Sequence, residues 1–240
     1  MTDQILSIPL VNLSIVFIPV LMVLIILYKW RLEPGNAIYA LTRMIIQLLL
    51  VGYFLAYLFG SENAWVVVLV LSVMILVSSW IALRTITLYR QKLYKATLFS
   101  ILLGGGITLL LITQGVLNLE PWYRPSYMIP IAGMVFANSM TSISLAAERL
   151  QAEITRHVPY DQARNIAFQA AMIPIINSLF AVGLVSLPGM MTGQILSGTS
   201  PLIAVRYQIM VMCMIFGSAG ISTACFLYLV KPKLTRKDNH

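Results

Sequence analysis

Apolar residues run along this chain in long unbroken stretches parted by short polar segments, without the alternation of a half-wetted strand. Each of seven stretches approaches or exceeds the roughly 20 helical residues needed to cross a hydrocarbon layer of about 30 Å. They cover residues 7–28, 37–58, 64–83, 96–117, 127–147, 166–187 and 203–230. Within lipid every backbone N–H and C=O must be satisfied internally, and the runs lack the alternation of barrel strands, so helices are expected. The predicted fold is an all-α integral membrane protein of about seven transmembrane helices, forming a single transmembrane domain over residues 1–240. The first run has Asp3 before it, no basic lead-in and no small-residue cleavage site after it, so it reads as a retained helix, kinked at Pro19.

The sixth and seventh stretches are parted by "SLPGMMTGQILSGTSPL", residues 186–202, although no charged residue occurs from Asn165 to Val205. Pro188 and Gly189 are expected to end one helix, and Gly198 to Pro201 to start the next. Met190 to Leu196 then form a short re-entrant or interfacial helix. Pro188, Gly189, Met190, Met191 and Gly193 are read as an outer gate or a dimer contact, against the alternative of a simple interfacial loop.

Charge sets the orientation. Lys29 and Arg31, then Arg84, Arg90, Lys92 and Lys95, then Arg149, Arg156 and Arg164, and finally the tail from Lys231 to Lys237 all fall on one side of a seven-span chain. Only Arg124 and Arg206 fall on the other, with Arg43 inside the second run. The positive-inside rule then predicts an outside N-terminus and a cytoplasmic C-terminus. The net charge of +8 is thus topological, with anionic membrane lipids as its neighbours and no nucleic acid partner. Composition agrees: 59% of residues are hydrophobic and 10% charged, where a soluble domain carries about a quarter charged. Cys213 and Cys225 lie on one run, about 18 Å apart along a helix, and cannot bridge within it.

Little in the sequence supports catalysis within the membrane. There is no HExxH, no GxSxG and no Walker A sequence, the histidines are only His157 and His240, and the acidic residues lie in loops, tails or at a helix end. The chain is therefore read as a non-enzyme without a cofactor of its own. Lacking a buried carboxylate relay, it would draw any transport energy from another chain. The informative residues are polar or helix-breaking ones at membrane depth. Arg43 and Gln47 share a face of the second run, Pro130, Met134 and Asn138 lie in the fifth, and Pro174 and Asn177 in the sixth. They are read as a candidate translocation path, against snorkelling for Arg43 and helix packing for the amides. Proline frees a carbonyl one turn back, and here two runs pair a proline with a deep asparagine. Gly104, Gly105 and Gly106 are read as a packing notch, and the 13 methionines as flexible packing residues.

The longest polar segment, 148–165, fits a helix up to His157 and a restart at Pro159, suggesting a short helix lying on the cytoplasmic face. Arg156, Pro159, Tyr160, Asp161 and Arg164 form the candidate docking element there, and the basic "RTITLYRQKLYK" (84–95) could share the contact.

Four stretches, "TRMIIQLLLVGYFL" (42–55), "IPIAGMVFANSM" (129–140), "GLVSLPGMMTGQILSG" (183–198) and "YQIMV" (207–211), together resemble the FetB-type ABC permeases. That family comprises bacterial iron exporters and plant half-transporters linked to aluminium tolerance. The resemblance runs from the second span to the seventh. It implies the permease subunit of an ABC exporter in the bacterial inner membrane, working as a homodimer with a separate ATP-binding subunit that holds ATP and Mg. Iron or another metal ion is the implied cargo; a lipid-like substrate, or a non-ABC channel or scaffold, are the alternatives. By motif the resemblance marks Arg43, Gln47, Gly52, Pro130, Gly133, Met134, Asn138 and Met140, and from Pro188 to Gly198 the gate segment. The segment between spans five and six is shorter here, keeping only "VPYDQA" (158–163) of a pattern that resembles the coupling helix of ABC permeases.

Overall fold

The computed structural model describes residues 9–60, 63–86 and 90–234. Asp3 and the start of the first span, Glu62, residues 87–89 of the basic segment, and the tail residues Arg236, Lys237 and His240 lie outside the described residues. The chain divides into two compact units, Met1–Ser61 and Glu62–His240.

The first unit holds α1 (Leu10–Ile15), α2 (Phe17–Lys29) and α3 (Pro34–Phe59). The predicted kink is a break at Val16, because Pro19 has no N–H for the carbonyl of Ile15 and its ring crowds that carbonyl. The second unit holds α4 (Ala64–Ala82), α5 (Arg90–Leu110), α6 (Pro125–Thr155), α7 (Tyr160–Ala181), α8 (Gly189–Leu196) and α9 (Pro201–Leu234). Helix α5 continues into a π-helical turn, Leu111–Val116. Among the described residues there is no strand, only an isolated bridge between Val182 and Ser186. Among the described residues six helices are long and apolar enough to cross a membrane: α2 with part of α1, α3, α4, α5 with its π turn, α6 and α9. The protein is a multi-pass all-α membrane protein. Helix α7 is the exception, since Asp161, Gln162, Arg164, Asn165 and Gln169 dilute its first half.

Helices α5, α6 and α9 form the centre of the second unit, with α4 against α5 and α6, and α7 against α6 and α9. Helices in lipid gain little from hydrophobic exclusion and associate through small residues that let backbones approach. Buried Thr97, Ser100, Ser139, Ser142, Ser218 and Ser222 line this core. Three of these hydroxyls satisfy themselves on the preceding turn, Thr97 on the Leu93 carbonyl (3.1 Å), Ser100 on Ala96 (2.7 Å) and Ser218 on Ile215 (3.2 Å). Ser222 of α9 instead donates to the Ser139 hydroxyl of α6 at 3.1 Å. The glycine run works as a notch: a Cβ on Gly104 would stand 2.6 Å from the Ser222 backbone nitrogen, and one on Gly105 3.1 Å from Val135 and Phe136. Gly104 is thus level with Ser222 and Ser139, and Gly105 with residues three to four earlier in α6, so α5 runs antiparallel to α6.

Four expectations change. Pro130 does not interrupt α6; in the second turn it costs one hydrogen bond and the helix continues. Helix α6 also runs on to Thr155, and α7 starts at Tyr160. Residues 148–165 are therefore a sharp corner between two long helices and not a separate helix lying on the surface. Helix α7 stops at Ala181, before Pro188 and Gly189 can end it. Gly183, at φ +85°, turns the chain so that the Ala181 carbonyl accepts from Val185 (2.8 Å) and Ser186 (3.1 Å). Finally, the basic stretch 90–95 is the first turn and a half of α5, not a loop.

The corner closes through a left-handed residue. His157 has φ +60°, its N–H donates to the Ile154 carbonyl at 2.9 Å, and Val158 donates to Glu153 at 3.1 Å, the paired bonds of a Schellman ending. A β-carbon there costs about 1 kcal/mol, so His157→Gly is expected to raise the thermal unfolding midpoint in detergent by a few degrees.

Candidate functional site

The candidate path residues of the second unit lie on α6 and α7. Helix α6 buries Val135, Ser139, Ser142 and Ala146. Its less covered lane passes Pro130, Met134, Ala137, Asn138, Thr141, Ser144 and Glu148 at helical spacing. The lane turns polar from Asn138 onward, which a surface meant only for lipid would not. Asn138 donates its amide N–H to the Met134 carbonyl at 2.8 Å and makes no further hydrogen bond among the described residues. On α7, Pro174 and Asn177 are both exposed. Ser178 donates to the Pro174 carbonyl (2.9 Å), whereas the Asn177 side chain makes no hydrogen bond among the described residues. The corner makes α6 and α7 pack side by side, and Asn138 and Asn177 are nearly equidistant from it along their helices. Both amides therefore sit near one level, about 28 Å from the corner at 1.5 Å per residue. An amide carbonyl left bare in hydrocarbon costs at least 1–3 kcal/mol, so these groups call for water, a polar substrate or another chain.

Arg43 and Gln47 belong to the first unit, on α3, where Arg43 is half-buried and Gln47 exposed beside a shallow hollow lined by Leu50, Val51, Tyr53 and Phe54. The candidate gate residues lie at the start of α8 and not at the end of α7. Pro188 caps α8 in extended conformation, Gly189, Met190, Met191 and Gly193 lie in the helix, and Gly198 at φ +89° ends it. Helix α8 packs on α9, and the approach to it is strongly apolar, with Leu184 91% and Val185 84% exposed.

The docking residues are brought together at the corner. Tyr160 donates its phenolic O–H across to the Leu227 carbonyl of α9, and burial pushes its pKa up to about 12, so it stays a donor at physiological pH. Asp161 accepts from two cations, Arg164 at 3.3 Å and Lys231 of α9 at 3.1 Å. Arg149 at 2.7 Å and Arg156 at 3.6 Å both pair with Glu153, whose carboxylate is buried. Pro159 and Arg156 stay exposed at the tip. The α9 end is thus fastened to the corner, a tie that sequence reading missed because Leu227 and Lys231 are some 70 residues away. Tyr160→Phe removes the bond to Leu227, leaves the Asp161–Lys231 pair, and is expected to cost about 1 kcal/mol, read as a fall of roughly 2–4 °C in the unfolding midpoint. A second basic fixture joins α4 to α5: the Arg90 guanidinium lies 3.7 Å from the Trp80 ring centroid and donates to the Trp80 carbonyl at 2.9 Å. Among the described residues no three His, Cys, Asp or Glu side chains gather into a metal cage.

Residues 10–160 and 155–235 match the family described as Uncharacterised protein family (UPF0014). The chain belongs to that family. Its members include the UPF0014 membrane protein slr1647 of Synechocystis, 37% identical over 79% of this chain and 79% of that protein. Protein ALUMINUM SENSITIVE 3 of Arabidopsis thaliana is 34% identical over 91% of this chain and 84% of its own length. The Probable iron export permease protein FetB of Escherichia coli is 33% identical over 90% of this chain and 89% of its own. No solved structure matches the chain. The expected family is the one found, and membership sets the chain among membrane transport proteins and not among enzymes.

Proposed function

We propose that this chain is the permease subunit of an ATP-driven exporter that moves iron or another metal ion out of the cytoplasm, with ATP and Mg held by a separate ATP-binding subunit. The observation that carries this reading is similarity to an iron export permease along nine tenths of the chain. The polar lane on α6 supports it: a metal in transit would meet the Asn138 and Asn177 amides, hydroxyls of Thr141 and Ser144 and the Met134 thioether, all neutral donors suited to weak passing contacts. Two permeases, with the lanes facing one another, would enclose the path. The ATP-binding subunit docks at the α6–α7 corner through Arg156, Pro159, Tyr160, Asp161 and Arg164, and the tie to α9 passes its motion into the bundle. Helix α8 closes the outer end.

The test is ATPase activity of the reconstituted permease with its co-purifying ATP-binding subunit. Stimulation by ferrous or ferric ion above other metals supports the reading, and stimulation only by phospholipid replaces it with a lipid exporter. Ion conduction without ATP, in the absence of any co-purifying ATPase, would sink it.

A further inference from the structure

A groove runs down the seam between α7 and α9. Its upper part, about 440 Å³, is lined by Arg164, Asn165, Phe168, Leu227 and Tyr228; a deeper part of about 510 Å³ is lined by Phe168, Met172, Ile176, Phe216 and Gly217. Phe168 and Gln169 belong to both, so the two parts are continuous, and Gln169 is the only polar side chain in the lower one. Gly217 and Gly220 open this part by withholding side chains: a Cβ on Gly217 would meet nothing within 4 Å.

We infer that this groove holds one anionic phospholipid as a fixed component, its phosphate at Arg164 and one acyl chain along α7. Three observations converge. The mouth carries the Arg164 guanidinium, and Lys231 of α9 stands on the same Asp161 carboxylate. Arg164 uses its Nε and Nη2 on the Asn165 amide oxygen (3.2 and 3.1 Å) and its Nη1 on Asp161, leaving about two of its five N–H groups for a phosphate. Beside it Tyr228, 76% exposed, has the amphipathic ring found at membrane interfaces. From Arg164 to Ile176 the groove descends roughly 18 Å, close to the half-thickness of about 15 Å that one leaflet's chains fill. The basic segments mark this end of the bundle as the side of the anionic leaflet. This lipid is resident and does not depend on what the permease carries.

Native mass spectrometry of the full chain in mild detergent, equilibrated with dioleoylphosphatidylglycerol or dioleoylphosphatidylcholine, tests it. The expected result is one retained phosphatidylglycerol with about fivefold preference over phosphatidylcholine, the effect of one interfacial cation. Arg164→Gln should bring that preference close to one. Gly217→Leu should fill the groove and lose the retained lipid while the unfolding midpoint holds, because the added side chain enters open space. Equal retention of both lipids by the wild type would mean interchangeable boundary lipid and overturn the inference. So would undiminished retention by the Gly217→Leu variant. Efficient cross-linking of Gly217→Cys between two copies in vesicles would do the same, since the groove would then be a permease–permease contact.

Discussion

Gly104→Ala is expected to lower stability and folded yield sharply. The new methyl group would lie 2.6 Å from the Ser222 nitrogen and 2.9 Å from its Cα, so the obstacle is backbone and cannot turn aside. Helices α5 and α9, the most extensively packed pair, would have to part, and the Ser222–Ser139 bond between α9 and α6 would stretch with them. Overpacking costs about 1–3 kcal/mol even where side chains can yield. A lost buried hydrogen bond adds about 1 kcal/mol. Together these approach the whole stability of a typical domain, about 5–15 kcal/mol, from its lower end. Folded yield in detergent and the unfolding midpoint measure the loss. Gly106→Ala, two residues on, has nothing within 4 Å and is expected to be neutral or stabilising by about 0.5–1 kcal/mol. Equal midpoints for the Gly104→Ala variant and wild type would show that α5 and α9 do not pack through this notch.

That glycine notch shows how far the sequence could be read. Three consecutive glycines in an apolar run announce close helix packing, but not which of them is used or against what; only Gly104 and Gly105 meet a neighbour. Spans were legible because hydrocarbon thickness sets their length, and α8 appeared within one residue because proline and glycine punctuate both its ends. Helix ends outside the membrane were not. Once water can satisfy the backbone, apolar runs no longer mark where a helix stops, and so α6 and α5 extend one to two turns beyond their apolar stretches. The end of α7 was set by Gly183 acting on a single carbonyl, a signal overshadowed by the Pro-Gly pair that begins five residues later. At the site, residue types alone picked out Asn138, Asn177 and the corner. Gln208, buried at 6% exposure with Oε1 lacking a hydrogen-bond partner among the described residues, was not singled out beyond its place in the YQIMV stretch. Burial depends on which neighbours arrive, and that is a property of the assembled bundle.

Replacing Asn138 or Asn177 by Leu should separate transport from assembly. Leucine branches at Cγ as asparagine does and is larger, so neither change opens a cavity, and the only side-chain bond lost is the one from Asn138 to the carbonyl of its own preceding turn. If the amides meet the cargo, each loss removes a contact of about 1–3 kcal/mol. The concentration of metal giving half-maximal ATPase stimulation should then rise roughly tenfold per substitution, at 1.4 kcal/mol for each factor of ten. Basal ATPase and the yield of permease bound to its ATP-binding subunit should stay unchanged, because the corner lies about 28 Å away along the helix. The two positions share one level on adjacent helices, so the double variant should lose less than the product of the single effects, as expected for groups that contact one cargo. Strict multiplicativity would place them on separate surfaces. Unchanged stimulation in both single variants would return the asparagines to packing and move the path to another face of α6.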